Sequence, residues 1–572
     1  AQEAVELTEG RADAVVIGER INPTGKPKLK AALRAGDYDY LVGEAVAQEL
    51  VFDRAAGEST PSTIYSWYEE QVISDVKDDL KAQYGYSDEA VSLLLTRGGL
   101  SIYTCVDPDV QAQVEQIYSD RTNLDYTSSS GQQLQSAITV IDNETGNLVG
   151  IAGRVGEKTG NLWMNFATDS KRQPGSSIKP LSVYAPAFEM GLISPISVLD
   201  DYPHEVMGGR PWPVNVDGRY RGLVTVRQAL SNSYNTVSVR VLADLVTPEN
   251  SFNFVEEHFH LDLEDGVEIG GQMKSDIGVA PLSMGGLTYG VNTRDMAEAF
   301  AVFPNGGLYQ KSRTYTKVTD SEGNTIMENT PNTDKGFTNV RTDYYMLDCL
   351  QNVTAHGTAY GIQLDGVETG GKTGTTTSNT DIWFCGITPK YSGAVWVGYE
   401  HNYRLDGLYG RNAAEIWLAV MQKVHAGDSG LVFDSHPQDF EEVTYCMDTG
   451  LLASGACRAA GRAATGRFWK DKVPTETCSH QNIENKYDFE SMGVDNYYYD
   501  DEEDDSDSDS SSSDTDTGNE DSGDGGSYDS DDSGDSGDDS GDGGDSGDDS
   551  GDSGDSGGDS GDSGDSSEDP EA

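Results

Sequence analysis

The order of strand-forming and helix-forming sequence limits this chain's fold more than any other feature. The stretch "QSAITVIDNETGNLVGIAG", residues 135–153, sets two β-rich runs around Asn143-Glu-Thr-Gly146 and reads as a hairpin. Helix-forming sequence dominates from about 174 to 300, and strand signals return in "GGKTGTT", "DIWFCGITP" and "SGAVWVGYE". A strand pair, then mainly helices, then antiparallel strands predicts an α+β domain with segregated layers. Upstream, "IYSWYEEQVISDVKDDLKAQYGYSDEAVSLLL" has helical apolar spacing broken at "YGYSDE", where Ser87 is placed to cap a second helix. "GLSIYTCVDPDVQAQVEQIY" then reads as a strand, a turn at Asp107-Pro108 and a helix.

The acidic charge is uneven. The formal net charge is -59, and 31 acidic residues fall between Asp500 and Glu571 with no Lys or Arg among them, which leaves -28 on the rest. This Asp/Ser/Gly tail, 499–572, contains almost nothing apolar to bury and is expected to stay disordered. A body this acidic has little attraction for phosphate backbones, so no nucleic-acid partner is expected. No run approaches the ~20 apolar residues of a membrane helix, and no export signal opens the chain. None of the six cysteines forms a CxxC pair, which argues against a zinc ribbon; Cys446, Cys457 and Cys478 fall close enough together to include a disulfide. The eight histidines are scattered, with His258 and His260 reading as alternate positions of a strand, so no metal site is expected.

Three short motifs carry chemistry. In "RQPGSSIKP", Pro174-Gly175 make a turn and Ser176 opens a helix running toward Gly191. Pro180 is tolerated in a first turn, whereas Pro186 should kink the helix. Lys179 lies at i+3 from Ser176, on the same face. A serine hydroxyl needs a base before it attacks, and a lysine in a dry pocket can lose its proton readily enough to serve. In "ALSNSYNTVSV", Ser233 and Asn235 are spaced to point two polar groups one way, on a loop or short strand. In "GGKTGTTTSNTDIWFCGITP", Gly370, Gly371 and Gly374 leave room for a ligand backbone at a strand edge. Thr373 and Thr375 alternate to direct hydroxyls at that ligand, with the positive charge of Lys372 beside them. Taken singly, each motif is equally an ordinary cap, turn or Thr-rich edge strand.

Together and in this order they are the S-x-x-K, S-x-N and K-T-G set of penicillin-binding proteins and class A β-lactamases. "YSWYEEQVISDV", "DGRYRGLVTVRQALSNSYN", "GGLTYGVNTRDMAEAFAVFPNGG" and "VWVGYE" add to the likeness, so residues from about 49 to 480 resemble the linker and transpeptidase domain of a class A penicillin-binding protein. The resemblance implies the serine β-lactamase/transpeptidase-like fold, an antiparallel sheet flanked by helices plus a helical subdomain. It implies that Ser176 attacks a stem peptide ending in D-Ala-D-Ala, with Lys179 as base. Ser233 and Asn235 relay the proton, and Lys372, Thr373, Gly374 and Thr375 hold the substrate carboxylate. Backbone N–H groups of Ser176 and Thr375 form the oxyanion hole. An amine on a second stem completes the cross-link, β-lactams acylate Ser176, and no metal or organic cofactor is required. The resemblance implies the cell envelope, on the outer face of the cytoplasmic membrane, with no membrane anchor expected from the sequence read here. A D,D-carboxypeptidase or β-lactamase on the same fold is the alternative.

The resemblance divides the chain into a linker region at 49–130, a transpeptidase domain at 131–445 and a C-terminal extension at 446–498. No glycosyltransferase domain is expected within this sequence, and so no glycan-polymerising activity of it. Residues 14–48, "AVVIGERINPTGKPKLKAALRAGDYDYLVGEAVA" within them, resemble instead the first strand and helix of the pterin-binding domain of corrinoid-dependent methionine synthase. A barrel of that type needs about 250 residues. Residues 1–48 therefore read as a truncated fragment, joined by fusion or artefact and without a working site.

Overall fold

The computed structural model describes residues 63–481 apart from 123, 338 and 435–438. The readings of 1–48 and of the acidic tail lie outside the described residues. The centre is a five-stranded antiparallel sheet of β1 (Gln135–Asp142), β2 (Leu148–Ala152), β3 (Gly370–Thr375), β4 (Asp381–Ile387) and β5 (Tyr391–Gly398), in the order β3-β4-β5-β1-β2. The early hairpin and the late strands thus meet where β1 pairs with β5, from Tyr391 opposite Asp142 to Gly398 opposite Gln135. Nearly every residue of these strands is buried, because helices cover both faces.

The covering helices follow from local signals. Helix α1 (Trp67–Tyr84) begins with a capping box in which the Ser66 hydroxyl accepts from the Glu69 N–H and the Glu69 carboxylate accepts from the Ser66 N–H. Helix α2 (Asp88–Arg97) is capped by Ser87, as expected, and α3 (Pro108–Ser119) by Asp107 with proline at its first position. Helix α4 (Thr293–Ala301) packs on one face of the sheet against β5 and β1. On the other face lie α3 and α6 (Gly410–Val424), while α5 (Val340–His356) flanks edge strand β3.

The linker region is not a separate body. Its strand Ser101–Thr104 pairs with Tyr315–Thr319, deep in the later sequence. Tyr68 Oη donates to Leu148 O at 2.6 Å. Asp75 of α1 makes a two-pronged pair with Arg294 of α4, at 2.9 and 3.0 Å. One apolar core runs from Trp67 to Phe440.

Two local readings are corrected. His258 lies in the last turn of the helix Pro248–Phe259, and His260 caps it with φ 50°, so neither is on a strand. The sequence "PENSFNFVEEHF" keeps Phe252, Val255 and Phe259 on one buried helical face, which outweighs the local alternation around the histidines. The segment after Ser176 is not one α-helix: a 3₁₀ turn Gly175–Ile178 passes into a π-helical turn Pro180–Tyr184 and then into α-helix Ala185–Glu189. Pro186 has no N–H for the Ser182 carbonyl one turn back, and the Ser251 hydroxyl donates to that carbonyl instead, at 2.6 Å. The π turn is where the chain absorbs the proline.

Beyond β5 a small lobe forms from β7 (Ala463–Trp469) paired with β6 (Phe440–Cys446) and a short helix Gly455–Ala459. Among the described residues no helix is long and apolar enough to cross a membrane.

Candidate active site

Three elements carry the motifs into one cleft. Ser176 sits in the 3₁₀ turn, half-buried, and Lys179 follows it with no exposed surface. Strand β3 lies against that turn. Two glycines make the contact possible. Gly175 has φ +55°, and a Cβ there would stand 2.5 Å from Thr375 O; a Cβ on Gly374 would stand 2.3 Å from Pro174 O. The K-T-G glycines therefore fit the protein's own packing rather than a ligand: Gly374 against the Ser176 turn, Gly371 against Phe384, Gly370 against α5. That corrects the expectation that all three open the strand edge for substrate.

Lys179 Nζ donates to Ser233 O and to Asn235 Oδ1, both at 2.8 Å, with Ser233 Oγ at 3.5 Å. Lys372 Nζ donates to Ser233 Oγ at 2.9 Å. Ser233 thus stands between two buried lysine side chains. It occupies a loop after helix Val226–Ser231, not a strand, with φ 60°. A serine in this left-handed region is strained, and the Lys179 bond to its carbonyl helps to hold it there. The Lys179 backbone N–H donates to Ser176 O, but the two side chains make no direct hydrogen bond with each other.

Burial governs the charges. Removal from water lowers the Lys179 pKa well below its ordinary value, and the positive charge of Lys372 lowers it further. Burial brings Lys372 to about 7. Among the described hydrogen bonds and ion pairs, no carboxylate reaches Ser176, Lys179, Ser233 or Lys372.

Thr373 and Thr375 lie on the opposite face of β3 from Lys372. The Thr373 hydroxyl shares a 2.7 Å hydrogen bond with that of Thr358, and Thr375 Oγ1 accepts from Gly410 N at 3.3 Å. Thr358 was not found from sequence, because the loop after α5 that carries it has no motif of its own. A second missed set positions Asn235. Asn215 Oδ1 accepts from the Asn235 N–H at 2.8 Å, and Asn215 Nδ2 donates to buried Asp201 at 2.6 Å. Asp201 also accepts from the Thr236 hydroxyl and from the Arg221 N–H at 3.0 Å. Burial raises the Asp201 pKa, and these hydrogen bonds offset part of the effect.

The "Penicillin binding protein transpeptidase domain" family matches residues 136–422, and the "Penicillin-binding protein 1A, C-terminal domain" family matches 436–482. Neither match reaches 14–48, and nothing in the comparisons supports the methionine synthase resemblance. Penicillin-binding protein 1A of Clostridium botulinum (strain Langeland) is 33% identical over 399 residues, 68% of this chain and 47% of that protein. Its namesake in Clostridium acetobutylicum is 36% identical over 373 residues, 63% of this chain and 44% of that protein. The chain therefore spans about half the length of these curated relatives. In fold it is similar to penicillin-binding protein 1A of Haemophilus influenzae, with TM-score 0.58 and 18% identity over 83% of this chain and 86% of that one. It is also similar to PonA1 of Mycobacterium tuberculosis, with TM-score 0.53 and 24% identity over 64% and 93%. With the family's transpeptidase domain matched around the Ser176 cleft and its 1A-type C-terminal domain matched beyond it, the chain belongs to the class A penicillin-binding proteins.

Proposed function

We propose that this chain is a serine D,D-transpeptidase that cross-links peptidoglycan stem peptides ending in D-Ala-D-Ala, at the outer face of the cytoplasmic membrane. The observation that carries the reading is the environment of Lys179. It is fully buried, has no carboxylate partner, and makes two short hydrogen bonds as donor. A neutral amine has two N–H bonds and one lone pair. Bonds to Ser233 O and Asn235 Oδ1 use both hydrogens and leave the lone pair for the Ser176 proton.

The steps follow in this reading. Lys179 accepts the Ser176 proton as Oγ bonds to the penultimate D-alanine carbonyl carbon, and the carbonyl electron pair moves onto oxygen. The Ser176 and Thr375 N–H groups stabilise that oxyanion, in keeping with the close backbone approach of Gly175 to Thr375. As the peptide C–N bond breaks, the proton passes through Ser233 to the departing D-alanine nitrogen. Lys372, with Thr373 and Thr375 along the edge strand, holds the terminal carboxylate, and Asn235 orients the substrate amide. A stem-peptide amine then attacks the ester carbonyl and gives its proton to Lys179, which passes it to Ser176 Oγ as the ester C–O bond breaks, leaving Ser176 free and Lys179 neutral. Penicillin stops at the ester. PonA1 of Mycobacterium tuberculosis has been solved in complex with penicillin V, and its fold is shared here.

Asp201 belongs to the Asn215 network, and among the described residues no carboxylate is hydrogen-bonded or ion-paired to the Ser176 cleft, which favours transpeptidase over β-lactamase. Polymerisation of lipid-linked disaccharide is not assigned to residues 63–481. In this reading residues 49–130 serve as linker, 131–445 as the catalytic domain and 446–498 as a C-terminal extension.

Labelled penicillin tests the assignment. Peptide mapping should place the adduct on residues 172–180, Ser176→Ala should abolish it, and the wild-type ester should outlast a β-lactamase turnover by orders of magnitude. Label that persists on Ser176→Ala, or rapid repeated hydrolysis of a chromogenic β-lactam, would overturn it.

A further inference from the structure

The lobe after β5 has a small core of its own, made of Cys446, Cys457 and Cys478, which are 0%, 0% and 4% exposed. Their sulfurs and a ring nitrogen of His480 all lie within 4.8 Å of one another, and Cys446 Sγ is 3.8 Å from His480 Nδ1. We propose that these four side chains form a structural zinc site. The absence of a CxxC pair pointed away from metal because that pattern supplies its ligands from a single turn. Here they come from the end of β6, from helix Gly455–Ala459 and from the closing segment at 478–480.

Several features converge on the cluster. The Cys478 N–H donates to Leu452 O at 2.8 Å and the Leu452 N–H to Glu476 O at 3.0 Å, which ties the closing segment to the lobe. His480 adopts φ 49°, a strained conformation for a residue with a side chain, and its N–H donates to Cys478 Sγ at 3.2 Å. The Ser454 hydroxyl lies 3.3 Å from Cys457 Sγ. Asp448, 3.8 Å from His480 Nδ1, is held by Arg462 at 2.6 and 2.9 Å, so it stands beside the cluster with its own cation.

Three thiolates and one imidazole suit a borderline-soft ion of tetrahedral preference. Zinc–sulfur bonds of ~2.3 Å and a zinc–nitrogen bond of ~2.0 Å set the ligand atoms about 3.5–3.8 Å apart, so the cluster has to tighten by about 1 Å. On binding, each thiol gives up its proton to solvent, the imidazole donates as a neutral base, and no oxidant or reductant is needed. A lobe of this size buries too little apolar surface to hold itself strongly, and a metal can supply the missing cross-link.

The lobe also meets the catalytic domain. Phe440 stacks on Tyr344 of α5 at 3.7 Å between ring centroids. Arg341 pairs with Asp471 at 3.0 Å, and Gln228 Nε2 lies 3.8 Å from Met447 Sδ. Gln228 belongs to helix Val226–Ser231, which leads directly into the Ser233 loop. The zinc site therefore braces the element that carries the S-x-N motif.

The test uses the full chain, purified without chelators under reducing conditions. Elemental analysis should find one zinc per chain. Cobalt substitution should give the visible bands of a tetrahedral ion with thiolate charge-transfer absorption. Cys457→Ser and His480→Gln should lose stoichiometric metal while still acylating with penicillin, which separates a lost site from a lost fold. A reduced wild-type chain that takes up neither zinc nor cobalt would overturn the proposal. So would a disulfide mapped between any two of the three cysteines in envelope-derived protein.

Discussion

Ser233 is the residue on which the cleft's electrostatics converge, with Lys372 Nζ at 2.9 Å and Lys179 Nζ at 3.5 Å from one hydroxyl. Burial depresses both lysines, and the positive charge of Lys372 depresses Lys179 further. The acylation rate should therefore rise with pH as Lys179 loses its proton, then fall above about 7 as Lys372 loses the charge that attracts a substrate carboxylate. Stopped-flow acylation across pH checks both limbs. Lys372→Met should abolish the falling limb and move the rising limb to higher pH, because the positive neighbour of Lys179 is gone. Stability has its own sign. The folded state releases the Lys372 proton near 7 and the unfolded chain only near 10.5, so the unfolded state binds more protons between them and stability climbs with pH across that window. In Lys372→Met that part of the climb should disappear, as denaturant melts at several pH values would show. The lysines, Ser176, Ser233 and Asn235 were all legible as motifs. Thr358, Asn215 and Asp201 were not, since a hydrogen-bond partner brought in by a loop leaves no periodic mark.

At the scale of elements, the nucleophile segment departs most from its sequence reading. Pro186 signalled a defect in a helix, but the remedy comes from Ser251, in a helix whose position no local pattern reveals. Ser251→Ala should leave the Ser182 carbonyl buried without that donor and cost about 1–3 kcal/mol. Ser251→Thr, which keeps the hydroxyl, should recover part of the loss. Urea unfolding of both variants decides it, and a neutral alanine variant would refute the account of the π turn. Gly374→Ala probes the facing element. Its new methyl would stand 2.3 Å from Pro174 O, with backbone on both sides of the contact. The strand and the nucleophile turn would have to separate, and the acylation rate should fall at least tenfold with little change in melting temperature. Equal acylation in the variant would show that this contact does not set the geometry of the cleft.

For the whole molecule, the linker region and the catalytic domain share one core. Asp75 and Arg294 join them through a mostly buried pair whose side chains are 16% and 15% exposed. Calorimetry of the full chain should show residues 63–440 unfolding in a single transition. Arg294→Met should lower stability by about 3 kcal/mol, because Asp75 would then be buried without its cation. Two separate transitions would show that the shared core does not couple the parts. The order of strand pair, helices and strands, together with three short motifs, was enough to specify the α+β class and the family, because periodicity and motif spacing are local properties of a chain. Only the tertiary structure decided that β1 and β5 pair across the middle of the sheet, that Ser101–Thr104 joins strands far along the chain, and that Cys446, Cys457, Cys478 and His480 converge. Such contacts depend on the packing of distant segments, and no short stretch of sequence records which distant partner it will meet.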